Sequence, residues 1–272
     1  MGKKFACIIF FAVFILVLGA ACFLREPVQI LVSERRKATQ FPEFSIESVM
    51  DKSFFDGLED YLTDQFPLRD GFRTLNAAIR MKLLGQTDNS NVYFAEGHIS
   101  EFDGTLSENS VKNAAEKINS IYDKYIKSAN AKVYFSVVPD KNFYLAEKNG
   151  YPALDYEKML EIFNSNVKNM EYIDIFDCLD IESYYKTDSH WKQEKLGSVI
   201  SRLREKMGFD AKPISEYGAE KISEFKGVYA PRLALVDIAE EIIASNSPVT
   251  QSARAYNLET DKTTVGVYDA EK

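Results

Sequence analysis

Beyond its first two dozen residues this chain has a single cysteine. Three occur in the 272 residues, and Cys7 and Cys22 fall in an apolar N-terminal stretch, leaving Cys178. A lone thiol excludes an intramolecular disulfide in the folded part, so the core must hold by packing. No Cys-x-x-Cys pair occurs, and no group of His, Cys and carboxylates has metal-ligand spacing, so neither a metal nor another cofactor is expected. Basic blocks are missing as well. Lys and Arg number 33 against 41 Asp and Glu, a net charge of −8, which gives no electrostatic footprint for nucleic acid. Internal repeats and low-complexity stretches are absent. Histidine occurs only as His98 and His190, which makes the search for an imidazole base short.

Charge is also absent from Phe5 to Leu24, and here the absence is informative. Twenty apolar residues rise about 30 Å as a helix, the hydrocarbon thickness of a bilayer, with every backbone hydrogen bond made internally. Lys3 and Lys4 precede the run, and by the positive-inside rule they place the N-terminus in the cytoplasm and the rest outside. The segment is read as an uncleaved anchor. Gly19 and Ala21 also fit a small-x-small cleavage site. Leu18-Gly-Ala-Ala-Cys22 resembles a lipoprotein signal with its leucine one place too far away.

The expected division is a membrane anchor or signal segment at 1–26, a stalk at 27–52 and a domain at 53–272. Ser53 to Leu84 has helical periodicity, broken at Phe66-Pro67. Val92-Tyr-Phe94 and His98-Ile99 predict a short hairpin with Gly97 at its turn. Helices are predicted around 111–125, 156–167 and 191–207, the last stopped by Gly208. Between them, 132–138 and 171–176 read as strands. Strands separated by helices argue for an α/β fold with a parallel sheet flanked by helices. After residue 209 the pattern weakens, with a candidate helix near 233–244. Fewer strands are found than a three-layer domain needs, so the domain is expected to be incomplete at its C-terminus.

His98 reads as a solvated turn residue. His190 follows a strand and loop, in Tyr184-Tyr-Lys-Thr-Asp-Ser-His-Trp191, where α/β folds build their sites. Asp188, two residues earlier, can fold back to the imidazole Nδ1 and fix its tautomer, leaving Nε2 to take a proton from a hydroxyl. The competing reading is structural: Asp188 caps the following helix, and His190 packs beside Trp191.

Several strings, in order, resemble the DHHW family, which is related to the SGNH-hydrolase-like acetyltransferases of alginate and other exopolysaccharide systems. They are Glu34-Arg-Arg36 with Phe41-Pro-Glu43, Leu62-Thr-Asp-Gln-Phe-Pro-Leu-Arg-Asp70, and Val92-Tyr-Phe94 with Gly97. Val137-Val-Pro-Asp-Lys141, the Thr187-to-Trp191 string and Phe225-Lys-Gly-Val-Tyr229 continue the series. The resemblance implies an SGNH-like fold and acyl transfer, or ester hydrolysis, on polysaccharide hydroxyls at the cell envelope. It also implies a separate membrane-bound acyl-donating protein as partner. Asp188 and His190 match the first two members of the family's triad. Ser189 stands where the family name has histidine, and no Gly-Asp-Ser-like block follows, so the chain is expected to stop before its nucleophile. A non-catalytic carbohydrate-binding or scaffold protein, with Tyr184, Tyr185 and Trp191 as stacking surfaces, is the alternative, and a gene fragment is a third.

The topology has a direct test. Reporters that work only outside or only inside the cytoplasm, fused after Lys272, should be active and silent respectively. Activity from the cytoplasmic reporter alone would overturn the orientation.

Overall fold

The structure is a computed structural model that describes residues 2–34, 36–102, 104–210, 212 and 216–266. Arg35 and the closing Glu271-Lys272 lie outside them. The chain forms two compact units, one of Met1–Asn89 with Pro231–Val236 and the other of Ser90–Ala230 with Asp237–Lys272.

In the first unit the apolar run forms helix α1 (Gly2–Leu24). It is the one described helix long and apolar enough to cross a bilayer, a property that a signal peptide shares. A two-residue antiparallel pair follows, β1 (Ile30–Leu31) with β2 (Arg36–Lys37). Helix α2 (Ile46–Met50) is capped by Ser45, whose hydroxyl accepts from Ser48 N. The predicted break is present: α3 (Ser53–Asp64) ends before Pro67, and α4 (Arg69–Ala78) restarts after Leu68, whose φ of +57° turns the chain.

What pins this unit is the string at the break. Asp64 is buried, and its carboxylate accepts from Arg36 Nη1 and Nη2 at 2.7 and 2.6 Å and from Thr39 N and Oγ1 at 2.9 and 3.0 Å. Gln65, fully buried, clasps Val28 from both ends of its amide, accepting from Val28 N at 2.8 Å and donating to Val28 O at 2.9 Å. Arg69 reaches Glu34 at 2.5 Å, and Ser33 donates to Asp70 at 3.2 Å. Charged hydrogen bonds of this kind are the stronger class, so the string acts as a clamp on residues 28–39.

In the second unit, β3 (Val92–Ala95) and β4 (His98–Glu101) form the expected hairpin. Glu96 and Gly97 both take positive φ, +49° and +82°, the tight turn whose twist matches the strands. Helix α5 (Glu108–Ile121) starts at Ser107, which accepts from Ser110 N. Strand β5 (Tyr134–Phe135), α6 (Lys141–Leu145), α7 (Tyr156–Asn166) and β6 (Glu171–Tyr172) follow. The next helix, α8 (Gly197–Met207), ends at Gly208 in the left-handed conformation. The chain then forms β7 (Gly218–Phe225), the short helix Tyr229–Leu233 and β8 (Glu240–Asn246), which pairs antiparallel with β7. A last hairpin joins Arg254–Asn257 to Lys262–Val265.

The mixture of helix and strand is as expected; the parallel sheet is not. Among the described residues the strands form separate pairs, and only β5 with β6 is parallel, over two residues. The parallel pair β5–β6 is joined by a crossover through α6 and α7, whereas β3 and β4 are joined by a tight turn and pair antiparallel. The strand expected over 132–138 is reduced to β5, ending at Phe135. The helix expected near 233–244 is not formed: residues 234–239 are irregular and strand β8 begins at Glu240. The core lies behind the 173–203 segment, where Ile173, Ile175, Leu179, Tyr184 and Val199 pack together with Trp191, Leu196 and Leu203 against them.

Asp64 makes the first unit acid-sensitive. The Arg36 guanidinium and the Thr39 donors hold its carboxyl well below the usual carboxylate range, against the opposing effect of burial. A free aspartate titrates near about 3.9, so the stabilisation is complete above that pH and is lost as pH falls through the lower folded value. Asp64→Asn should cost about 2–4 kcal/mol at pH 7 in urea unfolding, and less as pH drops below about 4. A cost that stays constant from pH 7 to pH 3 would overturn this assignment.

Candidate active site

The Thr187–Trp191 string is a loop closed on itself. Tyr184 bridges Trp191 as an isolated antiparallel pair, and Tyr185 N donates to His190 O at 3.1 Å. Asp188 and His190 sit at its tip. The His190 Nδ1 lies 2.5 Å from Asp188 Oδ1, and His190 N also donates to that oxygen at 3.2 Å. A carboxylate only accepts, so Nδ1 carries the proton and the neutral ring presents a bare Nε2. The imidazole is 80% exposed and its carboxylate partner 4%, so the ring is held by a buried partner and open to solvent. Burial opposes ionisation of Asp188, but the hydrogen bonds from His190 and Val228 outweigh it and keep the carboxyl below its ordinary value. Asp188 is thus a partner of the imidazole, and α8 begins only at Gly197. The expected helix edge at His190 is replaced by an extended bridge and a short turn.

Three elements hold this tip from beneath. The first is Lys141. Asp140 caps α6 by accepting from Asn142 N at 2.8 Å, which puts Lys141 at the first helical position, where it is buried. Its Nζ donates to the carbonyls of Ile99, Tyr185 at 2.9 Å, Lys186 at 3.1 Å and Asp188 at 3.2 Å. The Tyr229 ring centroid lies 5.6 Å from it. Burial pushes Lys141 down to about 7, with the Glu240 and Asp188 charges opposing. Every one of these carbonyls is an acceptor, so the cage itself matches the ammonium form. The second element is Glu240 on β8, which accepts from Lys186 N at 2.5 Å and from Thr187 N and Oγ1 at 2.7 Å each.

The third element is the Phe225–Tyr229 string. Gly227 N donates to Thr187 Oγ1 at 2.8 Å, Val228 N to Asp188 Oδ2 at 3.1 Å and Tyr229 N to Thr187 O at 3.0 Å. Only glycine fits this approach, because a Cβ at Gly227 would stand 2.1 Å from the Thr187 carbonyl oxygen. The carboxylate of Asp188 is therefore fixed by His190 on one oxygen and by Val228 on the other.

Beside the tip lies a cavity of about 240 Å³, lined by Ser100, Glu101, Asp140, Lys141, Ser189 and Tyr229 among others. No hydroxyl is bonded to His190 Nε2 among the described residues. Ser247 caps the helix Pro248–Ser252 and Ser252 donates to Pro248 O at 2.7 Å, so both are committed locally.

His98 departs from its expected place. It opens β4 fully buried, with Nε2 3.4 Å from Glu182, and is not a solvated turn residue. Its own turn is tight enough to swing it inward. Burial and the Lys141 charge lower its pKa, with Glu182 opposing, which disfavours the charged ring. Tyr184 and Tyr185 are buried, which serves packing rather than sugar stacking. Sequence reasoning gave no role to Lys141 or Gly227, although both sit in quoted strings. It missed Glu240, which fell where a helix was expected.

Residues 34–97 match the family model of the DHHW protein. The resemblance drawn from the sequence is borne out over that segment, which holds the Asp64-to-Asp70 clamp, β3 and the turn at Gly97. No curated protein matches the chain. Among solved structures, PatB1 of Bacillus cereus is 15% identical with a TM-score of 0.49, covering 65% of this chain and 65% of its own. A DHHW family protein of Eubacterium siraeum is 21% identical with a TM-score of 0.47, covering 58% and 56%. PatB1 with a sulfonyl adduct is 13% identical with a TM-score of 0.47, covering 65% and 62%. The chain thus spans somewhat less than two thirds of the length of these structures.

Removing the caged cation tests the support beneath the tip. Lys141→Met fills the space but takes this donor from the carbonyls of Ile99, Tyr185 and Asp188, Lys186 O keeping the Ile99 N–H at 2.7 Å, and should destabilise by about 2–4 kcal/mol. The readout is the urea midpoint at unchanged m-value. A midpoint within error of the wild type would show that the cage carries no stability.

Proposed function

We propose that the chain is an extracytoplasmic, SGNH-hydrolase-like protein that takes part in acyl transfer or ester hydrolysis on envelope or exported polysaccharide. The observation that carries the reading is the Asp188–His190 pair, ordered at 2.5 Å with the outer face of the imidazole open to solvent. The DHHW match and the resembling strings around the pair support it. Domain limits of 27–52 for a stalk and 53–272 for an SGNH-like domain belong to the same proposal.

The chemistry follows from the geometry. Nε2 accepts the proton of a hydroxyl as its oxygen attacks an acyl carbonyl, and Asp188 stabilises the imidazolium that forms. The imidazolium then returns the proton to the leaving oxygen as the carbonyl re-forms. Proton transfer of this kind is worth about 10²–10⁴ in rate, but only with a nucleophile within about 3 Å. His190 has no such hydroxyl among the described residues. Ser189 is its chain neighbour and cannot easily meet it in attack geometry. The base therefore acts with a hydroxyl from elsewhere, and a membrane-bound acyl-donating protein is the partner that supplies the acyl group.

Two measurements separate the parts of this reading. The purified chain should hydrolyse p-nitrophenyl acetate at background, indistinguishably from His190→Ala. Turnover that is lost in the variant would reveal a nucleophile within these residues, with Ser189 the first to replace. In cells lacking the gene, ester-linked acyl content of the envelope polysaccharide should fall, and wild type but not Asp188→Asn should restore it. Unchanged acyl content would sink the functional assignment itself.

A further inference from the structure

The end of α1 is built into the first unit rather than merely tethered to it. Cys22 is 2% exposed, and its carbonyl accepts from the buried Tyr61 hydroxyl at 3.1 Å. Arg25 Nη2 donates to Gln65 O at 2.5 Å, directly at the clamp on residues 28–39. Phe23 packs against Tyr61 and Phe41, with ring centroids 6.0 and 6.2 Å apart. From there the aromatic contacts run outward: Phe41 to Phe54 at 6.3 Å, and Phe54 to Phe44 at 5.5 Å.

These outer rings are open. Phe44, Ile46 and Met50 are between 73% and 81% exposed, and Phe41 is half exposed. A cluster of large apolar side chains this exposed is costly in water and marks a contact surface. Between Lys37 and Lys52 there is no lysine or arginine, while Glu43, Glu47 and Asp51 are present. Attraction to anionic headgroups is thereby excluded as the driving force, which leaves apolar burial. The surface is continuous, ring by ring, with a helix of membrane length whose last turn it grips. Aromatic side chains at the end of a spanning helix sit where the acyl chains meet the headgroups.

We infer that Phe41, Phe44, Ile46 and Met50 form a lipid-contacting shelf that seats the first unit in the bilayer interface at the exit of α1. The inference rests on the reading of α1 as a retained anchor, and it assigns these residues a neutral, zwitterionic lipid surface. Processing after Ala21 would leave Cys22, Phe23 and Arg25 in place at a new N-terminus and remove the membrane-length part of α1 to which the shelf is joined.

The test uses the full chain reconstituted in phosphatidylcholine vesicles, with a benzophenone amino acid in place of Phe44, of Ile46, or of the exposed Lys112 on α5 as control. On illumination, positions 44 and 46 should yield phospholipid adducts at least tenfold above position 112, unchanged when a fifth of the lipid is anionic. Adducts to a second copy of the chain instead of lipid would overturn the inference in favour of self-association, and yields equal to the control would overturn it outright. The intact mass of the protein extracted from producing cells separates the two levels. A chain beginning after Ala21 refutes the anchor reading and the shelf together, whereas a retained helix without lipid adducts refutes the shelf alone.

Discussion

An ammonium group taken out of water must replace its hydration shell with protein acceptors, and in this chain the side chain of Lys141 does so with four backbone carbonyls. Those carbonyls belong to β4 and to the loop that ends in His190. Because three of them come from residues 185, 186 and 188, one cation fixes the path of the loop immediately before the imidazole. Glu240 then accepts from the N–H groups of Lys186 and Thr187 in the same loop. A loop whose donors and acceptors are both satisfied has no reason to rearrange, and the Asp188 carboxylate inherits that rigidity. Preorganisation is what a weak Asp-x-His spacing needs before it can act as a base at all.

The resembling strings divide by role. Those in the first unit, around Glu34 and from Asp64 to Asp70, are spent on clamping a short segment through charged hydrogen bonds and touch no reacting group. The strings in the second unit converge on one place: Lys141 beneath the loop, His190 at its tip, and Gly227 pressed against its back. A family match over residues 34–97 therefore covers the clamp, while the Asp188–His190 pair on which the proposed function rests lies further along.

Much of this was legible from residue order, for physical reasons that can be named. The break at Phe66-Pro67 and the turn at Gly97 were readable because proline and glycine act locally. The proximity of Asp188 and His190 was readable because two-residue spacing makes it a local matter as well. The parallel sheet failed because apolar β-branched runs such as 132–138 report burial without reporting partners. His98 was misplaced because a turn residue was assumed to be wet, whereas a two-residue turn puts its first strand residue straight into the interior. Glu240 carried no signal, since a carboxylate that caps a loop 53 residues earlier in the chain leaves no periodic trace.

Gly227 sets an order of events. The Cβ-free approach of residue 227 to Thr187, and the grip of Glu240 on the same loop, join segments that are far apart in the chain. Contacts of that separation form late, after local helices and hairpins. Asp188 and His190 are close in sequence and can meet early, but the second oxygen of Asp188 and the amides beside it stay unclaimed until the strands after residue 218 arrive. For a chain made from its N-terminus, the surroundings of the imidazole are thus completed last, once the strands after residue 218 are in place.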